Sequence, residues 1–179
     1  NLTVHHYGVN GVVFSGVSEQ LGRMESGELI EDLPLSARLL KSGVNRKVLY
    51  VAILLHDIGK GRPEDHSVIG AQIARRLAPR FGLSRKECDT VEWLVRHHLL
   101  MSDMAQKRDI GDPRTVRDFV KAVQTRKRLD LLTVLTVCDI NAVGPGTWVH
   151  LPARQVHSLV AHTRLVMLLL LLAAGAETD

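Results

Sequence analysis

From residue 33 onward the apolar positions recur at three- and four-residue intervals, the signature of amphipathic helices. No run of alternating apolar and polar residues is long enough to argue for a sheet. A first helix is predicted over roughly 34–41, ending near Gly43. A second, 45–59, is apolar on nearly every side from Val48 to Leu55, as expected of a helix surrounded by others, and stops at the glycines and proline of "GKGRP". A third begins near Asp65 with Ile69, Ile73 and Leu77 on one stripe and ends before Pro79 and Gly82. Ser84 and Glu87 form the capping box of a fourth, whose apolar stripe is Val91, Leu94 and Val95. The polar segment "LLMSDMAQKRDIGD" reads as a loop of about a dozen residues, a length that is often functional. Asp112 and Pro113 open a fifth helix burying Val116, Phe119, Val120 and Val123, and a strongly apolar sixth spans about 127–143 before "GPG". A last helix is expected over about 151–173. In the first thirty residues helical spacing is visible only after residue 12, and no internal repeat is present. The pattern predicts an all-α bundle of about seven helices.

Several polar side chains fall on these apolar stripes. His66 precedes Ile69, Ile73 and Leu77 by 3, 7 and 11 residues, which places it at the start of an inner face. His98 follows Val91, Leu94 and Val95 by 7, 4 and 3 and also points inward, whereas His97 is rotated by about 100° towards the Trp93 side. Asp139 has Leu132, Leu135, Thr136 and Val143 at helical neighbour spacings. His56 and Asp57 end the helix expected to be the most buried of all. Singly, each has an ordinary explanation: a hydrogen-bonded core histidine, a capping or paired aspartate. No lysine or arginine shares the inner stripe of Asp139, however, and an isolated buried carboxylate costs several kcal/mol or is forced neutral. A divalent cation held by His56, Asp57, His66, His98 and Asp139 answers all five problems together. Mixed histidine and aspartate ligands suit Mn²⁺ or Mg²⁺, and also Fe²⁺ or Zn²⁺. Such an ion makes a bound water acidic and stabilises charge on a phosphoryl oxygen.

Composition narrows the alternatives. At 179 residues, 45% apolar and 4% aromatic, the chain fits one helical domain with a single core. A net charge of +4, with basic residues scattered among acids and no recognition motif, argues against a nucleic-acid binder. Cys88 and Cys138 lack a cysteine partner at metal-ligand spacing, so a reducing, cytoplasmic setting is expected. The apolar run 165–176 is about a dozen residues against the roughly 20 of a spanning helix, so no membrane partner is expected. The chain opens on Asn1 without a leader pattern, as expected of a piece of something longer. "GKG" at 59–61 lacks the rest of a P-loop, and His157 and His162 are poorly spaced to share one helical face.

The segments "LLHDIGKGRPEDHSVIGA", "WLVRHHLLMSDMAQKRDIGDP" and "LTVLTVCDINAVGPGTW" resemble the HD superfamily of metal-dependent phosphohydrolases. More closely, they resemble the HD domain of the bacterial bifunctional PII uridylyltransferases and uridylyl-removing enzymes, over roughly residues 28–148. The resemblance implies an HD domain at 1–148, with 149–179 a C-terminal helical extension of altered sequence. It implies His56 and Asp57 as the dyad, Asp57 bridging two metals, His66 and His98 as further ligands, and Asp139 as the terminal ligand. Lys60 would lie near a substrate phosphate, or serve as a cation at a helix C-terminus, and His97 would hydrogen-bond to hydroxide or phosphate, or be merely solvated. The implied reaction is hydrolysis of UMP from the PII signalling protein, with nucleotidyltransferase and ACT domains flanking the HD domain in an intact protein. Two departures stand out. Val12, in "YGVNGV", occupies the place where a first histidine ligand is expected, and the tail after Trp148 lacks the usual continuation. The alternative is therefore a catalytically impaired, HD-like regulatory or nucleotide-binding domain.

Overall fold

The computed structural model describes residues 17–28, 34–142, 156 and 158–165. All regular structure among them is helical: α1 (17–26), α2 (Pro34–Lys41), α3 (Arg46–Leu55), α4 (His66–Leu77) with a 3₁₀ turn Ala78–Phe81, α5 (Arg85–Arg96), α6 (Leu100–Lys107), α7 (Pro113–Val123), α8 (Arg126–Ala142) and α9 (158–165). Val12, His5, His6 and His157, with most of the tail, lie outside the described residues.

Local chemistry sets the helix starts. The Asn45 side chain accepts the Val48 N–H at 3.1 Å to open α3, and Asp65 accepts from Ser67 and Val68 to open α4. The Glu87 carboxylate reaches back to the Ser84 N–H at 2.8 Å, completing the capping box of α5. Asp112 accepts from Arg114 N–H ahead of Pro113 at the start of α7.

The helix enclosed on all sides is α8: every residue from Leu131 to Cys138 is buried. Helix α3, expected to be enclosed, instead leaves Tyr50 and Leu54, one turn apart, at 37% and 38% exposure. It also ends at Leu55 rather than residue 59; residues 56–61 continue as turns. The expected inner stripe of α4 is corrected in the same sense. Ile69, Ile73 and Leu77 are half-buried, and the buried face consists of Gly70, Ala71, Ala74 and Ala78. Small residues let the backbones approach closely. A Cβ on Gly59 would lie 2.0 Å from the His66 carbonyl oxygen and 2.9 Å from the Gly70 nitrogen, so only glycine lets the turn after α3 seat against the start of α4.

The segment expected to be a loop contains α6, whose Met101 and Ala105 are buried one turn apart. In α7, Val116, Phe119 and Val123 are buried as expected, joined by Thr115, while Val120 is half-buried.

Candidate metal centre

The turn after α3, the first residue of α4, the end of α5 and the last turn of α8 meet at one point. His56 and Asp57 are 1% and 6% exposed and His98 3%, a group of polar side chains well inside the apolar core. His66 and Asp139 are half-buried at its edge.

The ring orientations are fixed by the backbone. His56 Nδ1 lies 2.7 Å from the Ile53 carbonyl oxygen and His98 Nδ1 2.8 Å from that of Val95. A carbonyl can only accept, so each Nδ1 carries the proton and donates it, and in the neutral ring Nε2 carries the lone pair. Both Nε2 atoms point into the cluster. His56 Nε2 is 3.2 Å from Asp57 Oδ2 and 3.3 Å from Asp139 Oδ1, and His98 Nε2 is 3.7 Å from Asp57 Oδ1. The two oxygens of Asp57 thus serve different neighbours: Oδ2 faces His56, and Oδ1 faces His98. The His66 ring approaches that of His98 at 5.3 Å between centroids, and the His56 ring approaches it at 5.4 Å. One ligand atom each from Asp57, His66 and His98 lies within 4.8 Å of the others, close enough for a single cation to reach all three.

His56 Nε2 is buried and close to both carboxylates yet aligned for a hydrogen bond with neither. A buried ring nitrogen that faces carboxylates without a hydrogen bond could hold a cation, and the donor set of imidazoles and carboxylates fits a divalent ion. Without one, a proton substitutes. Burial opposes charge on His56, but Asp139 and Asp57 outweigh it and raise its pKa from 6.5 to about 10. Burial also works against the Asp57 carboxylate, and His56 and Lys60 more than offset it, holding the group well below the usual carboxylate range. Lys60 Nζ donates to Asp57 Oδ2 at 2.6 Å, while its stem leaves it half-exposed. Burial lowers the His98 pKa, with the charge on His56 adding to it, so this ring is neutral at neutral pH.

The five residues expected from their stripes as metal ligands, His56, Asp57, His66, His98 and Asp139, therefore converge, and Lys60 joins them through Asp57. His97 does not. Its ring packs on Trp93 at 5.0 Å, as its rotation about α5 implied, and it faces a separate cleft. Burial, with Arg96 and Arg128, lowers its pKa. His162 is exposed and paired with Ser158. The sequence reading missed the Ile53 and Val95 carbonyls. Their signal was present, because each stands three residues before a histidine at a helix end, where a back-bond to a free carbonyl is geometrically easy.

No helix among the described residues is long and apolar enough to cross a membrane. Two proteins called bifunctional uridylyltransferase/uridylyl-removing enzyme are close relatives. That of Ruegeria pomeroyi is 72% identical over 144 residues, 80% of this chain and 16% of the relative. That of Cereibacter sphaeroides is 65% identical over 159 residues, 89% of this chain and 17% of the relative. The chain thus spans about a sixth of the length of these curated relatives. The HD domain family model matches residues 18–141, a span that takes in all five converging residues from His56 to Asp139, and with that match the chain belongs to the HD domain family.

Proposed function

We propose that this domain hydrolyses a phosphodiester with the help of a divalent cation, Mn²⁺ or Mg²⁺, and that its substrate is the uridylylated tyrosine of a PII signalling protein. The observation that carries the reading is the position of Asp57, whose two carboxylate oxygens lie within 3.2 Å of His56 and 3.7 Å of His98. His56, Asp57 and Asp139 would form one ligand set and Asp57, His66 and His98 the other. The chemistry that a bound divalent ion supplies is an acidic water and neutralisation of charge on phosphoryl oxygen.

The chain's own residues do the rest. The Ile53 and Val95 carbonyls keep the two imidazoles in the tautomer that presents Nε2, so no ring has to flip on loading. Burial excludes bulk water and strengthens each charge interaction. Lys60 holds Asp57 ionised from the solvent side, where its ammonium can also meet a substrate phosphate. The leaving tyrosine phenolate, with a parent pKa of about 10, departs with little assistance. Partnership with PII, and with nucleotidyltransferase and ACT domains in a longer chain, is what the motif resemblance implies, and relatives called bifunctional uridylyltransferase/uridylyl-removing enzyme fit it. It is supported by a 72% identity across this domain.

Release of UMP from uridylylated PII by the purified chain in Mn²⁺ tests the reading. It predicts turnover that chelation abolishes. A chain that binds metal but releases no UMP would instead favour the second reading, an impaired regulatory domain, for which Val12 in place of the first histidine is the specific observation. In that case Val12→His is expected to create activity.

A further inference from the structure

Adjacent to the metal candidates is a second polar feature that the hydrolytic reading does not use. A cleft of about 440 Å³ lies between α4, α5 and the beginning of α8, lined among others by Gln72, Glu92, Trp93, Arg96, His97 and Arg128. None of the five converging residues lines it, but it starts one residue from His98, at His97, and two residues from His66, at Val68. Along α5 the lining changes character towards the metal end, from Asp89 and Glu92 through Trp93 to Arg96 and His97. At about 1.5 Å per residue that gradient extends over roughly 12 Å, the length of a nucleotide.

Glu92 pairs with Arg75, whereas neither Arg96 nor Arg128 forms an ion pair with a carboxylate among the described residues. The Arg128 guanidinium lies 4.9 Å over the Trp93 ring, and the Gln124 side chain accepts from it. A guanidinium stacked on an indole on one side offers its opposite face to another flat ring, and such planes are used to stack nucleobases. Gln72 is exposed at the other wall, with an amide that can donate to and accept from a base edge. An aromatic ring, two arginines without a carboxylate partner among the described residues and an amide, in a cleft of ligand size, suit an ion that is flat at one end and anionic at the other.

We propose that this cleft binds a nucleoside monophosphate, with its base against the Arg128–Trp93 stack and Gln72 and its phosphate between Arg96 and His97, facing the metal centre. This rests on the proposed hydrolysis only for the claim that the nucleotide is half of the substrate; the binding itself does not need it.

Trp93 reports on its own site. In a Trp148→Phe background, Trp93 is the one remaining tryptophan of the chain. Its fluorescence, followed in metal-stripped protein, should respond saturably to UMP. Uridine and inorganic phosphate should each bind at least about tenfold more weakly, and Arg128→Gln should weaken UMP by about tenfold. No response to UMP, an equal response to inorganic phosphate, or an unchanged affinity in Arg128→Gln would overturn the proposal. Hydrolysis of bis(p-nitrophenyl) phosphate, which has no nucleoside, separates the two ideas. UMP binding without that hydrolysis sinks the catalytic reading alone, and hydrolysis without UMP binding sinks the cleft alone.

Discussion

His97 and His98 are neighbours in sequence and opposites in environment. His98 is 3% exposed, its Nδ1 committed to the Val95 carbonyl and its Nε2 turned to Asp57. His97, about 100° further back around the helix, packs against Trp93 with the rings tilted by 40°, at the edge of an open cleft beside two arginines. Burial lowers the pKa of both, but only His98 has carboxylates opposing that shift. His98 combines three conditions that favour a ligand role: burial, a backbone acceptor that fixes the tautomer, and an anionic neighbour that a cation can share. His97 meets the first only in part and lacks the others.

The comparison is most severely tested at Asp57, the residue on which the buried side depends. Asp57→Asn is expected to reduce phosphodiesterase activity by at least about 100-fold, since it removes the charge common to both ligand sets; steady-state rates on bis(p-nitrophenyl) phosphate measure it. The two histidines come next. His98→Ala should weaken Mn²⁺ binding by about 100-fold while His97→Ala leaves it within about twofold. Equal effects in a calorimetric titration would erase the distinction between the faces.

Gly59→Ala attacks the geometry rather than a ligand. The new methyl would meet the His66 carbonyl at 2.0 Å, and overpacking of this kind costs about 1–3 kcal/mol, readable in urea unfolding. Because the strain falls on the backbone of His66, metal affinity should drop too; a destabilised protein with unaltered affinity would show that His66 is not a ligand.

The pH dependence of metal affinity tests the buried side from another direction. In cation-free protein the His56 pKa is raised from 6.5 to about 10 by Asp139 and Asp57, so its contribution to stability is full below pH 6.5 and is lost as pH climbs towards 10. A cation needs the neutral ring and must displace that proton. Metal affinity should therefore increase with pH across that interval, by up to about tenfold per unit. An affinity independent of pH would exclude His56 from the ligand set.

Much of this was legible from patterning because each converging side chain sits on or beside an apolar stripe, and a polar group there needs a partner. His98 is the plain case, three and four residues from Val95 and Leu94, both fully buried. The stripe expected on α4 brought His66 to the cluster's edge although the stripe itself is not the buried face. The large residues Ile69 and Ile73 looked like the inner face, but the neighbouring backbones come so close that Gly70, Ala71 and Ala74 occupy it. Hydrophobicity counts side-chain surface, and a tight helix contact is made where there is little. Helix α6 was hidden for a related reason: Met101 and Ala105 are two anchors in an otherwise polar octet, too few to show a period. The Trp93–His97 pairing follows from a four-residue spacing, whereas Arg128 reaches Trp93 from another helix, a contact that only tertiary packing creates.

The central claim is that a buried pair of histidines and two aspartates, completed by His66, exists to hold divalent cations. Calorimetric titration of Mn²⁺ into metal-stripped protein, with Asp57→Asn beside it, tests that claim most directly. Saturable binding with proton release is expected in the native chain and none in Asp57→Asn; absence of binding in the native chain, or the same binding in both, would rule the cation site out.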